Sequence, residues 1–124
     1  MVRWSEEVRR EDPNVFLRAA ITESEADRFA VWILVDARRE CDLQFFQSFT
    51  CPVLTVRIEA SDETRIRRGW KWTEGVDDQE TECGLDHVKD WNLLIQNDDL
   101  SQELLLQKLE PIISLACSHT PPVT

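Results

Sequence analysis

Seven consecutive apolar residues, Phe29 to Val35, constrain the fold of this chain more than any other feature. The run lacks the alternation of a strand with one face in water, and it stops abruptly at Asp36. A strand covered on both faces in a parallel sheet has this pattern. The run is also far too short to cross a bilayer. It therefore predicts the centre of a buried parallel sheet.

Shorter apolar stretches further along the chain predict the rest of a small α/β fold. Residues 53–58, which follow Pro52, and residues 91–95 are the second and third predicted strands. A helix at 39–49 separates the first two strands, so these strands are expected to lie parallel with a right-handed crossover. Further helices are predicted at 2–12, 14–22, 61–70, 77–82 and 101–116.

Local signals mark the limits of several of these helices. Pro13 disfavours helical geometry at Asp12 and should end the first helix. Ser61 is expected to cap the helix at 61–70, whose first turn carries acidic residues. Pro111 is expected to bend or split the last helix, because it donates no backbone hydrogen bond.

The length of 124 residues allows one domain, since a domain takes up roughly 100–200 residues. The predicted sheet has only three strands, and the chain opens on helices without the strand that should precede them. We therefore expect the chain to hold the later part of an α/β domain, without its N-terminal portion. A complete small α/β fold is the alternative.

The charge of the chain argues against binding to nucleic acid or to an anionic membrane. Fourteen basic and 24 acidic residues give a formal net charge of −10. Arginine supplies 11 of the 14 cations, and 12 of the 14 lie in residues 1–73. Because guanidinium groups pair bidentately with phosphate and carboxylate, this half is suited to an anionic ligand. The N-terminus MVRWSEEVRR lacks the apolar core of a signal peptide, so a soluble intracellular protein is expected.

The four cysteines are predicted to be free, reduced thiols. They lie 10, 32 and 34 residues apart with no C-x-x-C motif, and only two histidines accompany them. A zinc site is the alternative reading of the same residues. These residues are Cys41, Cys51, Cys83, Cys117, His87 and His119.

Asp36, Arg38 and Arg39 follow the predicted central strand directly, where ligands bind in open parallel sheets. The arginines would hold a phosphate or carboxylate, and the acid would orient them or bind Mg²⁺. The alternative is a helix start capped by Asp36. Arginine at a helix N-terminus opposes the helix dipole, which favours the ligand site.

Two further polar segments are candidates for the same site. Arg65, Arg67 and Arg68 lie on a predicted helix with few core positions, so they either form a solvated face or reach over a nucleotide. Asn97 and Asp98 follow the last strand and either bind a ligand or make a turn. No Ser/His/Asp or Cys/His pattern indicates nucleophilic catalysis.

Four stretches of the chain carry a resemblance to a known family. They are residues 3–13, 32–39 and 68–70, and above all the block G-V-D-D-x-E-x-E-C-G-L-D at 75–86. Over about residues 2–113 the chain resembles the animal-type phosphomevalonate kinases, P-loop kinases of the nucleoside-monophosphate-kinase-like group. The resemblance implies a three-layer α/β fold, with a parallel sheet between flanking helices, here truncated at its N-terminus.

The resemblance also implies an activity and a set of acceptor-binding residues. The family transfers the γ-phosphoryl group of ATP to (R)-5-phosphomevalonate, which gives 5-diphosphomevalonate in the mevalonate route to isoprenoids and sterols. Arg9, Arg38 and Arg39 match positions that hold the phosphate and carboxylate of phosphomevalonate. Asn97 falls in the loop near substrate and adenine.

The remaining implied roles concern ATP and its metal. Arg68 matches the lid arginine on the ATP phosphates, and it is expected to be catalytic together with Asp36. Arg65 and Asp98 are the other expected ATP-binding residues. Asp36 is a candidate Mg²⁺ ligand. In-line phosphoryl transfer needs little beyond positioning and charge neutralisation, which suits this set of residues.

The chain departs from the family at the P-loop, because it contains no glycine-rich, lysine-containing motif and only three glycines. We therefore expect an incomplete form of a phosphomevalonate kinase with impaired activity. The alternatives are a non-catalytic phosphomevalonate-binding or interaction fragment and, more remotely, a generic acidic α/β domain.

The resemblance divides the chain into segments with separate roles. The chain ends in Pro-Val-Thr, without the peroxisome-type tripeptide of the family, so a cytosolic location is expected. The protein is also expected to be a monomer. The expected domain covers residues 1–117: acceptor-binding helices at 1–28, the core strand and arginine pair at 29–60, a lid at 61–73, an acidic loop at 74–90, and the last strand and helix at 91–117, followed by a frayed tail at 118–124.

Overall fold

The computed structural model describes residues 2–119 of the chain. They form a small α/β domain in which helices surround a short sheet. The elements, in chain order, are α1 (Val2–Glu11), α2 (Val15–Glu23), a 3₁₀ turn (Ala26–Arg28), α3 (Glu40–Gln47), β1 (Val56–Glu59), α4 (Asp62–Arg67), α5 (Glu80–Cys83), β2 (Leu93–Gln96) and α6 (Gln102–His119).

The sheet of the described residues consists of β1 and β2, which pair in parallel. Val56 lies opposite Leu93 and Glu59 lies opposite Gln96. Both strands were predicted, although β1 begins three residues later than expected and β2 two residues later. The register brings the ends of the strands to one edge, where Asn97 donates its backbone N–H to the carbonyl of Glu59 at 2.6 Å.

The strand predicted for the apolar run is not formed in this structure. Residues 31–38 have no regular secondary structure, and they form no sheet pairing among residues 2–119. Ile33 is 80% exposed and Val35 is 91% exposed. A strand needs a neighbour to accept and donate its backbone hydrogen bonds, and the described residues place no strand beside this run. The predicted crossover to β1 is therefore absent from the sheet described here.

The core lies beneath the sheet and is small. Among the described residues, the buried apolar side chains are those of Ile95 on β2, which is 1% exposed, and Leu85, which is 9% exposed. A second apolar group lies on α3, where Phe45, Phe46 and Phe49 pack with ring centroids 5.1–5.6 Å apart. Trp32, the middle residue of the apolar run, contacts Phe49 edge to face, so this group partly covers the run.

The helices agree well with the sequence, because their signals are local. α1 and α2 lie within two residues of their predicted ends, and Trp4 packs against Phe16 between them. At α4 the Ser61 Oγ accepts the backbone N–H of Thr64 at 3.2 Å, which confirms the predicted cap.

The last helix departs from its prediction in two respects. α6 continues through Pro111, which does not split it, and ends at His119 rather than at residue 116. Proline removes a single backbone donor, and one missing bond is tolerated in a helix of 18 residues. Ser118 therefore belongs to the helix, and residues 120–124 of the predicted tail lie outside the described residues.

Three further findings concern membrane-spanning helices, the cysteines and potential metal ligands. No helix within residues 2–119 is long and apolar enough to cross a membrane. The four cysteines are free, as predicted. Within the described range, no group of three or more histidine, cysteine, aspartate or glutamate side chains is arranged to hold a metal ion.

Candidate functional site

Glu6 on α1 joins two of the predicted ligand-binding arginines. Its Oε1 accepts a hydrogen bond from Arg39 Nη2 at 2.5 Å, and it pairs with Arg9 Nη1 at 3.5 Å. Glu6 and Arg9 lie three residues apart and so share one face of the helix. The Arg9 guanidinium also lies over the ring of Phe16 on α2, 4.8 Å from its centroid. Arg9 and Arg39 therefore converge although 30 residues separate them.

Arg38 points away from its neighbour Arg39. Its Nε donates to Asp36 Oδ1 at 2.7 Å, and its Nη1 lies 3.4 Å from Glu82 Oε1. The hydrogen bond to Asp36 raises the pKa of Arg38 above its ordinary value. Both backbone N–H groups of the arginine pair donate to Asp42 Oδ2, at 3.0 and 3.1 Å. Asp42 in the first turn of α3 thus holds the loop that carries both arginines. From the sequence, Asp36 was expected to orient them.

The acidic segment is tied to the sheet by Arg57 on β1. Arg57 donates to Asp86 Oδ1 at 2.9 Å and to the carbonyl of Leu85 at 3.1 Å. The bond to Asp86 raises the pKa of Arg57, whose guanidinium also contacts Glu59 at 2.9 Å. Leu85 beside it belongs to the core. The block at 75–86 is therefore anchored by a charged pair and a buried side chain at its C-terminal end.

Asp77 and Asp78 organise the N-terminal end of the same block. Asp77 accepts the backbone N–H of Thr73 at 2.6 Å and Trp70 Nε1 at 3.2 Å. Asp78 accepts the backbone N–H of Gly75 at 2.7 Å. These bonds give both carboxylates a local structural role, which composition alone could not assign.

The end of α4 places Arg65 against an aromatic ring. Gly69 has φ +102°, a conformation that favours glycine, and it turns the chain so that the N–H of Trp70 reaches the carbonyl of Arg65. The Arg65 guanidinium lies 4.3 Å from the Trp70 ring centroid. It also pairs with Asp62 one turn earlier. Arg65 is thereby oriented from two sides.

The other two arginines of this helix face the loop after β2. Arg67 pairs with Asp99, and Arg68 Nη2 lies 3.7 Å from the same carboxylate. These groups are all at least 44% exposed, so the pairs are weak and easily exchanged for another anion. Arg68 is therefore free to leave Asp99 for a stronger ligand.

Asp98 fastens the same loop to the start of α4. Its Oδ1 accepts the backbone N–H of Ser61 at 2.8 Å, and its Oδ2 accepts Gln96 Nε2 at 2.7 Å. The side chain of Thr64, the Ser61 N–H and Gln96 hold the pKa of Asp98 well below its usual range. The carboxylate predicted to bind ATP thus already serves as an acceptor for two elements.

We expect the Asp98→Asn variant to be less stable than the parent at pH 7. A lowered folded-state pKa stabilises the fold above the ordinary value of 3.8, and this contribution is lost as the pH falls through the folded-state pKa. The difference in urea midpoint between parent and variant should therefore shrink below pH 3.8. Asp27→Asn removes the same charge from the 3₁₀ turn and is the control. A difference that does not change with pH would contradict the assignment.

A groove of about 680 Å³ runs from α4 to the acidic segment. Of the predicted site residues, Arg65 lines it, while Arg38 reaches its wall through Glu82. Arg9, Arg39 and Asn97 are not part of its lining. The groove is lined by Arg57, Ile58, Glu59, Ala60, Asp62, Arg65, Trp70, Trp72, Asp77, Glu82, Cys83 and Asp86.

The residues do not fit a magnesium site of their own. Asp36, the predicted ligand, is a single carboxylate that is bonded to Arg38, and no cluster of three potential ligands occurs within residues 2–119. A hard cation needs several oxygen ligands. We therefore derive no catalytic step from a metal at Asp36.

The structure thus separates the predicted site residues into two groups. Arg9, Arg39 and Arg38 lie on or beside α1 and the loop before α3, whereas Arg65, Arg68 and Asp98 lie around α4. Asn97 contributes its backbone to the edge of the sheet. The sequence interpretation missed the carboxylates that organise these arginines, namely Glu6, Asp42 and Asp99. Glu6 lies in the stretch 3–13 that carries the resemblance, and Asp42 and Asp99 lie within four residues of a candidate, which are the signals that could have pointed to them.

Comparisons with known proteins agree on one family. The family model described as phosphomevalonate kinase matches residues 1–52, a range that includes Glu6, Arg9, Arg38 and Arg39. The chain is 39% identical over 118 residues to a phosphomevalonate kinase of Drosophila melanogaster. That match covers 89% of this chain and 62% of the relative, so the chain spans less than two thirds of the relative's length.

Proposed function

We propose that this chain belongs to the phosphomevalonate kinase family and is the acceptor-binding and lid part of an enzyme that phosphorylates (R)-5-phosphomevalonate with ATP. The observation that carries the proposal is the convergence of Arg9 and Arg39 on Glu6, with Arg38 beside them. A phosphate and a carboxylate on one small molecule need several guanidinium groups in one place. Arg9 and Arg39 lie 30 positions apart in the sequence and meet this need by coming together in the fold.

The proposed roles of the arginines follow from their surroundings. Arg39 is 9% exposed, so it is suited to a fixed, preorganised contact with the acceptor. Arg38 is about half exposed and would exchange its bond with Glu82 for the acceptor's anionic group. Arg68 would leave Asp99 for the transferring phosphoryl group, where a cation neutralises developing charge.

The groove beside Arg65 is the proposed place for the ATP phosphates. Arg65 lines it and is held by Trp70, and Arg68 directly follows the last residue of α4. Asp98 and Asn97 would act by holding the loop after β2 near α4. Mg²⁺ would arrive with the nucleotide phosphates, because the described side chains do not make a cage for it.

We further propose that residues 29–35 form an inner strand of a larger, three-layer sheet of the nucleoside-monophosphate-kinase type. The run belongs to no helix or strand of this structure, and Phe29, Ile33 and Val35 are 65–91% exposed. Large apolar patches of this kind are normally covered in a folded protein. The match leaves about 38% of the relative's length uncovered, which is enough chain to supply a neighbouring strand. A cytosolic monomer stays a prediction.

Calorimetry with (R)-5-phosphomevalonate tests the acceptor part of this proposal. We expect the 124-residue chain to bind phosphomevalonate and to bind mevalonate, which lacks the phosphate, at least tenfold more weakly, because charge-assisted hydrogen bonds to the phosphate are lost. Equal affinities, or no binding of phosphomevalonate, would contradict the proposal.

An activity assay tests whether this chain is catalytic by itself. The 124 residues contain no G-x-x-x-x-G-K motif to cradle the β- and γ-phosphates, so this polypeptide alone is expected to show little or no ATP-dependent turnover of phosphomevalonate. Binding without turnover favours the second candidate, a non-catalytic acceptor-binding protein, for the isolated chain. Rapid turnover would show that the P-loop is dispensable.

A further inference from the structure

We infer that Glu6 is a positioning residue that orients Arg9 and Arg39 for the acceptor, an inference that rests on the proposed function. Glu6 lies on α1, within the region that matches the family. Its carboxylate contacts a guanidinium from its own helix and one from the loop before α3. Within residues 2–119, no other carboxylate pairs with the guanidinium group of Arg9 or of Arg39, so Glu6 is their common anchor.

The burial of Arg39 shows why it needs this anchor. The Arg39 side chain is 10% exposed, whereas that of Glu6 is 38% exposed. A buried guanidinium without a partner would lose its hydration and gain nothing in return. Because the contact with Glu6 is a charge-assisted hydrogen bond of 2.5 Å, it fixes both the place and the tilt of the guanidinium.

Arg39 is held at its backbone as well as at its tip. Its backbone N–H donates to Asp42 Oδ2 at 3.1 Å, and its Nη2 donates to Glu6. A guanidinium is a planar fork with five N–H donors. A contact through Nη2 therefore determines where the rest of the plane points. A side chain fixed at both ends loses little conformational entropy when a ligand binds.

Arg9 is oriented in the same way by different contacts. Its Nη1 faces Glu6 at 3.5 Å, and its guanidinium lies 4.8 Å from the Phe16 centroid. Glu6 therefore sets the relative position of two cations that come from different parts of the chain. Two cations held beside each other in this way could pair with the two anionic ends of a small acid.

The negative charge of Glu6 makes the inference testable, because its removal should either strengthen or weaken the binding of phosphomevalonate. As a mere counter-ion, Glu6 would weaken the binding of an anion, and its removal would strengthen it. As a positioning residue, it would strengthen binding, and its removal would weaken it. The two roles predict opposite changes in the same measurement.

The experiment is calorimetric titration of the full 124-residue chain with (R)-5-phosphomevalonate, for the parent and for Glu6→Gln, Glu6→Asp and Glu7→Gln. We expect the first two variants to bind about tenfold more weakly or worse, since Gln loses the charge and Asp withdraws the carboxylate by one methylene. Glu7 lies next to Glu6 but pairs with Arg3, so Glu7→Gln should bind like the parent. Circular dichroism and urea midpoints identify the variants that fold.

A spectroscopic readout tests the contact without ligand. In ¹⁵N-labelled protein, the Arg39 Nε–Hε resonance should be resolved in the parent and in Glu7→Gln, and it should move or broaden in Glu6→Gln. If Glu6→Asp remains folded where Glu6→Gln does not, the Asp variant alone decides the affinity.

Each outcome bears on a different claim. Unchanged or tighter binding by the folded Glu6 variants would overturn the positioning role while leaving the proposed function intact. An Arg39 resonance that does not respond to Glu6→Gln would also overturn it. Failure of the parent to bind phosphomevalonate would instead overturn the proposed function, and the inference with it.

Discussion

The double variant Arg38→Ala/Arg39→Ala is expected to weaken phosphomevalonate binding by roughly two to four powers of ten. Each arginine would donate charge-assisted hydrogen bonds, worth about 1.5–3 kcal/mol per residue, and every 1.4 kcal/mol changes the affinity about tenfold. The loss of Arg39 also leaves Glu6 without its closest cation, which adds repulsion toward an anion. Calorimetry of both proteins at one salt concentration measures the effect.

A matched control separates the site from the overall charge. Arg3→Ala/Arg28→Ala also removes two cations, but from side chains that are 94% and 70% exposed and lie in local pairs with Glu7 and Glu25. We expect this control to change the affinity less than threefold. If both double variants weaken binding equally, the weakening reflects the more negative net charge of the chain and not the loss of a built site.

The Ile95→Ala variant should be the most destabilising single substitution in the sheet, by about 2–5 kcal/mol. Ile95 is 1% exposed and lies opposite Ile58 in the parallel pair, so its removal leaves a cavity at the centre of a small core. A loss of this size is a large part of the total stability of any domain, about 5–15 kcal/mol. Urea unfolding followed by circular dichroism measures it.

Leu94→Ala is the control for this prediction. Leu94 precedes Ile95 on the same strand but is 52% exposed, and surface substitutions usually change stability by less than about 0.5 kcal/mol. Equal urea midpoints for the two variants would mean that the core does not lie under β2. If the parent shows no cooperative transition, the isolated chain does not hold this core by itself.

Elements with a local cause could be predicted from the sequence. Ser61 accepts a hydrogen bond from Thr64 only three residues away, so its capping role was visible in the sequence. The helices α1 and α3 were likewise predicted from apolar spacing. The strand predicted at 29–35 did not form in this structure, because a strand needs a neighbouring strand to pair with. No property of the run itself supplies that neighbour.

The candidate site shows the same division. The position of Arg38 and Arg39 directly after an apolar run predicted a ligand site, and the resemblance added Arg9. The contact of Arg39 with Glu6 spans 33 residues, and that of Ser61 with Asp98 spans 37. The first pair depends on how α1 lies against the loop before α3, and the second on how β1 pairs with β2. No local pattern encodes either arrangement.

The sequence by itself determined the charge balance, the positions of most helices, the two paired strands and the family resemblance. Each of these follows from residue types or from interactions over a few positions. Only the tertiary structure decided that Arg39 faces Glu6 while Arg38 faces Glu82, and that Asp98 holds Ser61. The physical reason is that a side chain's partner is set by which elements pack together, and packing is a property of the whole chain.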